Sequence, residues 1–130
     1  MLTLNKTDTR TFWKLADMAI ANGGHIRIDN STAFMYLAVE KIGPDAYSFA
    51  HYGEQNGDAM RDPDVVFYAP DRLTGVMPVS YRNDYLGVWK EYTECDSQGR
   101  PSKINVRGVE DLVRFCKTWI DEVMTWYKGV

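Results

Sequence analysis

The segment His51-Tyr52-Gly53-Glu54-Gln55-Asn56-Gly57-Asp58-Ala59-Met60-Arg61-Asp62-Pro63-Asp64 holds the residue types that could do chemistry. From Glu54 to Asp64 it carries four acids against one Arg, a local charge of −3 that equals the net charge of the whole chain. Glu54, Asp58, Asp62 and Asp64, with Asn56, offer the hard oxygens that Mg²⁺ or Ca²⁺ takes. Their spacing departs from the alternating acids and closing Glu of an EF-hand. The competing reading is turn chemistry. Asn56-Gly57 is a turn dipeptide, the aspartates around Pro63 can cap backbone N–H groups, and Arg61 can neutralise one carboxylate. Turn chemistry is the stronger reading, so no metal or cofactor is assigned.

His51 could form an acid–base cluster with Glu54 and Asp58. Its strand parity matches Tyr47 and Phe49, however, which predicts a half-buried structural histidine. His25 is the only other histidine. The chain contains no G-x-S-x-G, Walker A, G-x-G-x-x-G or H-E-x-x-H motif. Cys116 falls on the apolar stripe of the last helix and reads as core, and nothing beside Cys95 would activate a thiolate. Arg100, Lys103 and Arg107 form a small basic run that reads as a solvated loop. Tyr81, Arg82 and Tyr85 surround Asn83-Asp84, and an aromatic and Arg tip can be a recognition surface. The candidate binding residues are therefore His51, Glu54, Asn56, Asp58, Arg61, Asp62, Tyr81, Arg82 and Tyr85. No catalytic residue is named.

The elements that must position these residues follow from patterning. Phe12, Leu15, Ala16 and Ala19 recur at helical spacing behind a cap at Thr7-Asp8-Thr9, and Asn22-Gly23-Gly24 ends the helix. A meander follows. Ala33 to Ile42 alternates, with Met35, Leu37 and Val39 opposed to Phe34 and Tyr36. Tyr47 to Tyr52 is a second strand, Gly53 to Asp64 a long polar connection, Val65 to Tyr68 a third strand, and Gly75 to Arg82 a fourth. Asn83-Asp84 as a two-residue turn sets Tyr81 opposite Leu86 and Val79 opposite Val88. Trp89 and Pro78 then fall on the other face. Ser97 to Pro101 breaks the sheet. From about Gly108, the residues Val109, Leu112, Val113, Cys116, Ile120, Val123 and Tyr127 form one apolar stripe. Phe115, Trp119 and Trp126 widen it beyond what one sheet face needs, which leaves room for a partner or a second copy. The predicted fold is a single α+β domain spanning residues 1–130. It has an N-terminal helix, an antiparallel meander of four to five strands, and a C-terminal amphipathic helix packed on the sheet.

Composition narrows the function classes. The chain has 130 residues, 45% hydrophobic and 13% aromatic, enough for one core without staples. A net charge of −3 is the wrong sign for a general nucleic-acid binder and leaves no polybasic membrane patch. The two cysteines lack C-x-x-C spacing, and no apolar run approaches bilayer length. Met1 to Lys6 lacks the apolar stretch of a signal peptide. The expectation is a cytoplasmic protein, monomer or homodimer.

The His51–Asp64 run, followed by Tyr81-Arg82-Asn83-Asp84-Tyr85-Leu86-Gly87-Val88, resembles a family of small uncharacterised proteins carried on bacterial plasmids, integrative elements and phages. That family is described as a domain of unknown function. The Gly57-Asp58-x-Met60-x-Asp62-Pro63 element is also similar, more loosely, to another uncharacterised bacterial family. The resemblance implies helix–meander–helix order and an accessory gene on mobile DNA, and it brings no catalytic residue. Two functional readings follow. The first is a non-enzymatic accessory protein that binds an unidentified protein partner through the acidic segment and the Asn83-Asp84 hairpin, one version of which is inhibition of a host defence system. The second is a small metal-dependent enzyme or metal-binding protein centred on Glu54–Asp64.

Overall fold

A computed structural model describes residues 1–29 and 36–126, with side chains to residue 123. Among the described residues ten elements run in the order α1 (Lys6–Ala21), β1 (His25–Asp29), β2 (Tyr36–Lys41), β3 (Ala46–Gln55), β4 (Asp58–Tyr68), β5 (Met77–Asn83), β6 (Val88–Glu91), β7 (Thr93–Cys95), β8 (Pro101–Ile104) and α2 (Val106–Trp126). Strands β1 to β6 form one antiparallel meander in chain order, and β7–β8 is a separate two-stranded hairpin. The domain is α+β as expected, with six strands in the main sheet rather than four or five. Among the described residues no helix is long and apolar enough to cross a membrane.

Helix α1 starts one residue before the expected cap. Asn5, not Thr7, accepts the Asp8 N–H at 2.8 Å, because a short amide side chain in extended backbone reaches the first free N–H groups. Its stripe of Phe12, Leu15, Ala16 and Ala19 is buried as predicted. Gly23 and Gly24, with φ of 76° and 102°, turn the chain so that the Gly24 N–H reaches the Ala19 carbonyl. In α2, Val109, Leu112, Cys116, Ile120 and Val123 are all buried. Both helices cover the same face of the sheet, which supplies Leu37, Val39, Tyr47, Phe49, Val65 and Phe67 to one core cluster. Phe12 lies at its centre, stacked on Phe49 at 5.0 Å and edge-on to Phe67 at 5.3 Å. Such ring pairs add to the burial energy of each aromatic.

Four expectations are corrected. First, β1 was not anticipated. Second, the polar connection Gly53–Asp64 is not a loop. β3 and β4 run on as a hairpin closed by Asn56-Gly57, with Gln55 opposite Asp58. Asn56 at φ 53° and Gly57 at φ 85° supply the left-handed pair that a two-residue turn demands. Third, the Asn83-Asp84 register fails. Asn83 is the last residue of β5 and pairs with Val88, so Asp84 to Gly87 forms the loop and Tyr81 faces Lys90. Asn83 is buried, and its Oδ1 accepts the Leu86 N–H at 3.2 Å, folding a wider turn around itself. Pro78, expected beside Trp89, instead pairs with Phe67 and is fully buried. Fourth, Ser97 to Pro101 falls in the turn and first residue of the β7–β8 hairpin. The expected strand residues Ala33, Phe34 and Met35, the helix residue Tyr127 and the Trp126 side chain lie outside what is described.

Candidate functional site

The nine sequence-predicted residues separate into three places. Glu54, Asn56 and Asp58 stand exposed at the tip of the β3–β4 hairpin. Tyr85 leans against the hairpin stem, where its hydroxyl occupies the space a Cβ on Gly53 would need. Strand alternation and the divergence of these groups prevent a chelating cluster. Among the described residues no three His, Cys, Asp or Glu side chains are placed to hold a metal ion.

Arg61 and Arg82 lie on the sheet face that the helices leave uncovered, and Asp84 joins them. Asp84 Oδ2 accepts the Arg61 backbone N–H at 2.8 Å, and Oδ1 accepts Arg82 Nε at 3.0 Å. The Arg61 backbone bond, reinforced by the Arg82 guanidinium, holds the Asp84 carboxyl below its ordinary range. Asp64 lies beside them. Ser48 donates to Asp64 Oδ1 at 2.7 Å, and Arg61 Nε stands 3.6 Å from Oδ2. Burial nonetheless pushes the Asp64 carboxyl up, against the opposing pull of Ser48, Arg61 and Arg82. Arg61, Asp64, Arg82 and Glu91 line a groove of about 380 Å³ whose apolar wall includes Ile42, Val66, Val79 and Trp89. The Arg82 guanidinium lies 4.8 Å from the Trp89 ring centre, and Trp89 is 63% exposed. Farther along the same face Tyr36 stacks on Tyr52 at 5.1 Å, and the Arg27 guanidinium lies 3.7 Å from the Tyr36 ring centre.

His51, Asp62 and Tyr81 meet on the helix side. The expected half-buried histidine is fully buried, 2% exposed, on the core face. Trp119 Nε1 donates to His51 Nδ1 at 3.1 Å. An indole N–H only donates, so Nδ1 is the bare nitrogen and the ring proton sits on Nε2. Burial lowers the imidazole pKa from 6.5 to about 4, so the ring is neutral at physiological pH and a poor general base. Asn83 Nδ2 donates to Asp62 Oδ1 at 2.7 Å and stands 3.4 Å from the Tyr81 hydroxyl. These groups line a second cavity of about 250 Å³, with Phe115, Trp119 and Glu122 from α2.

The nine candidate residues left out Trp89 and Glu91 in the groove, and Phe115, Trp119 and Glu122 in the cavity, while Asp64, weighed in the sequence as a metal ligand, lines the groove instead. Trp89 carried a usable signal, since its parity already set it off the core face. The α2 residues carried a weaker one, the breadth of the apolar stripe.

The fold and these surfaces define a small α+β domain in which two helices cover one face of an antiparallel sheet and leave a polar and aromatic face open. A family model described as a domain of unknown function, DUF6908, matches residues 9–125, and the chain belongs to that family. No curated protein and no solved structure matches the chain.

Proposed function

We propose that the domain is a non-enzymatic protein-interaction module that receives its partner on the uncovered face of the sheet. The observation that carries this reading is the groove beside Trp89, an apolar wall lined also by Arg61 and Arg82 and by the carboxylates of Asp64 and Glu91, with Asp84 paired to both arginines. Trp and Arg are among the residue types enriched at the hot spots that carry most protein interface energy. The balanced charges also decide between partner classes. A polyanion needs a net basic track to release its counterions, whereas a protein surface of mixed charge complements this rim. The acidic hairpin tip at Glu54 and Asp58 stands apart and extends the surface on offer. The resemblance on His51–Asp64 and Tyr81–Val88 adds the proposed setting, an accessory protein of a mobile genetic element acting in the cytoplasm, with a host defence component as one partner class.

The test is a photocrosslinking residue placed at Trp89, with a control placed at the exposed Lys14 on α1, in cells that naturally carry the gene. The expected result is one adduct of defined mass from position 89 that is absent at position 14 and removed by Val79→Glu. An adduct of twice the chain mass makes the partner a second copy. The same adduct pattern from both positions, or none from position 89, defeats the reading.

A further inference from the structure

The cavity between β4, β5 and α2 is separate from the groove just described, because it opens on the helix side of the sheet. Its walls are aromatic. Tyr81 meets Phe115 edge-on, with ring centres 5.4 Å apart and planes at 84°. Phe115 lies nearly parallel to Trp119, at 6.1 Å and 24°. The charged side chains lining it among the described residues are the carboxylates of Asp62 and Glu122, and no Lys or Arg is among the described lining residues. The imidazole at its base adds no positive charge, since its protonation is suppressed by burial.

We infer that this cavity binds an alkylammonium head group. Faces of aromatic rings attract cations through their quadrupoles, and carboxylates at the same site supply the counter-charge. An anion would meet two carboxylates, and an uncharged ligand would gain nothing from them. Size agrees with a head group rather than a whole drug-sized ligand. The volume is about 250 Å³, below the roughly 300–1,000 Å³ usual for drug-sized pockets. The walls are also held before any ligand arrives. The Trp119 indole is fixed by its bond to His51 Nδ1, the Asp62 carboxylate by Asn83 Nδ2, and the Tyr81 ring by its contact with Phe115. A site whose side chains are already placed loses little entropy on binding.

The test uses ¹⁵N-labelled protein and follows the Trp119 indole N–H, identified by its loss in Trp119→Phe. It is titrated at constant ionic strength with choline, with n-butylammonium, and with 3,3-dimethylbutan-1-ol, the uncharged isostere of choline. Saturable shifts are expected with at least one ammonium, at least tenfold tighter than with the alcohol. Saturation by choline alone makes the ligand a methylated head group, and saturation by n-butylammonium alone makes it a lysine-like primary amine. Asp62→Asn with Glu122→Gln should weaken the ammonium at least tenfold while leaving the alcohol unchanged. Absence of saturation by both ammonium ions, equal binding of the alcohol, or unchanged ammonium affinity in the double variant overturns the inference. If the double variant does not fold, the wild-type preference for choline over its isostere decides alone.

Discussion

His51 shows how a single buried group couples stability to pH. In the unfolded chain its imidazole titrates near 6.5, and in the folded protein burial lowers that to about 4. Between those values the unfolded state holds more protons, so stability falls as pH falls through the window. At about 1.4 kcal/mol per unit, the loss on going from neutral pH to pH 4 reaches about 3 kcal/mol for this one group. Protonation also places a second donor opposite the Trp119 N–H and removes its acceptor. In His51→Gln the amide oxygen can still accept from Trp119 but has no proton to take up. Urea unfolding at a series of pH values should therefore show a shallower decline between pH 7 and pH 4 in the variant. Parallel pH profiles would mean that His51 does not titrate in this window. The residue type and the core-facing parity were legible in the sequence. The Trp119 bond was not, because it joins residues 68 positions apart, and only the packed fold brings them together.

Elements were legible where a dry, continuous core imposes its period. The stripe of α2 and the alternation of Leu37 with Val39 record contact with that core directly. The distal half of the β3–β4 hairpin projects past it, so Glu54, Gln55, Asp58 and Ala59 are exposed and leave no apolar rhythm to read. Asn83 misled for a related reason. Asn next to Asp is turn chemistry by composition, yet Asn83 spends its amide on Asp62 and Leu86 and belongs to the strand. Close packing also hides inside helices. Gly108 lies in the first turn of α2, where the capping Asn105 accepts its N–H at 3.0 Å, and an added Cβ would overlap the Tyr92 ring. Helix propensity favours Ala over Gly by about 1 kcal/mol, but overpacking costs about 1–3 kcal/mol. Tyr92 packs on the core cluster, so its ring must give up part of that contact to make room. Gly108→Ala should lower unfolding free energy by about 1 kcal/mol or more in chemical denaturation. A variant as stable as the parent would show that the ring moves freely.

At the scale of the whole molecule, the sheet has two faces with different duties, and Trp89 and Trp119 report on the division. The helix-to-meander-to-helix order predicted one covered face. It did not say whether the second face was covered as well, since a half-polar strand pattern fits both an open face and one lined with ion pairs. The structure places Ser48, Asp64 and Arg82 on that open face and Phe49, Val65 and Tyr81 on the covered one. Trp119 and Trp89 stand on opposite sides of the sheet. Trp119 is 3% exposed and bonded to His51, whereas Trp89 is 63% exposed and touches the Arg82 guanidinium. Trp119→Ala removes a large buried side chain and leaves a cavity, a change that costs about 3–5 kcal/mol. Trp89→Ala removes one exposed cation–π contact, a loss under about 1 kcal/mol. If the uncovered face exists to meet a partner, Trp89→Ala should leave the urea midpoint almost unchanged and abolish the adduct formed by a crosslinker placed instead at Glu91, which lines the same groove. Trp119→Ala should shift the midpoint strongly. Comparable destabilisation by both substitutions would mean that Trp89 is structural, and the uncovered face would then be a second core surface rather than a docking site.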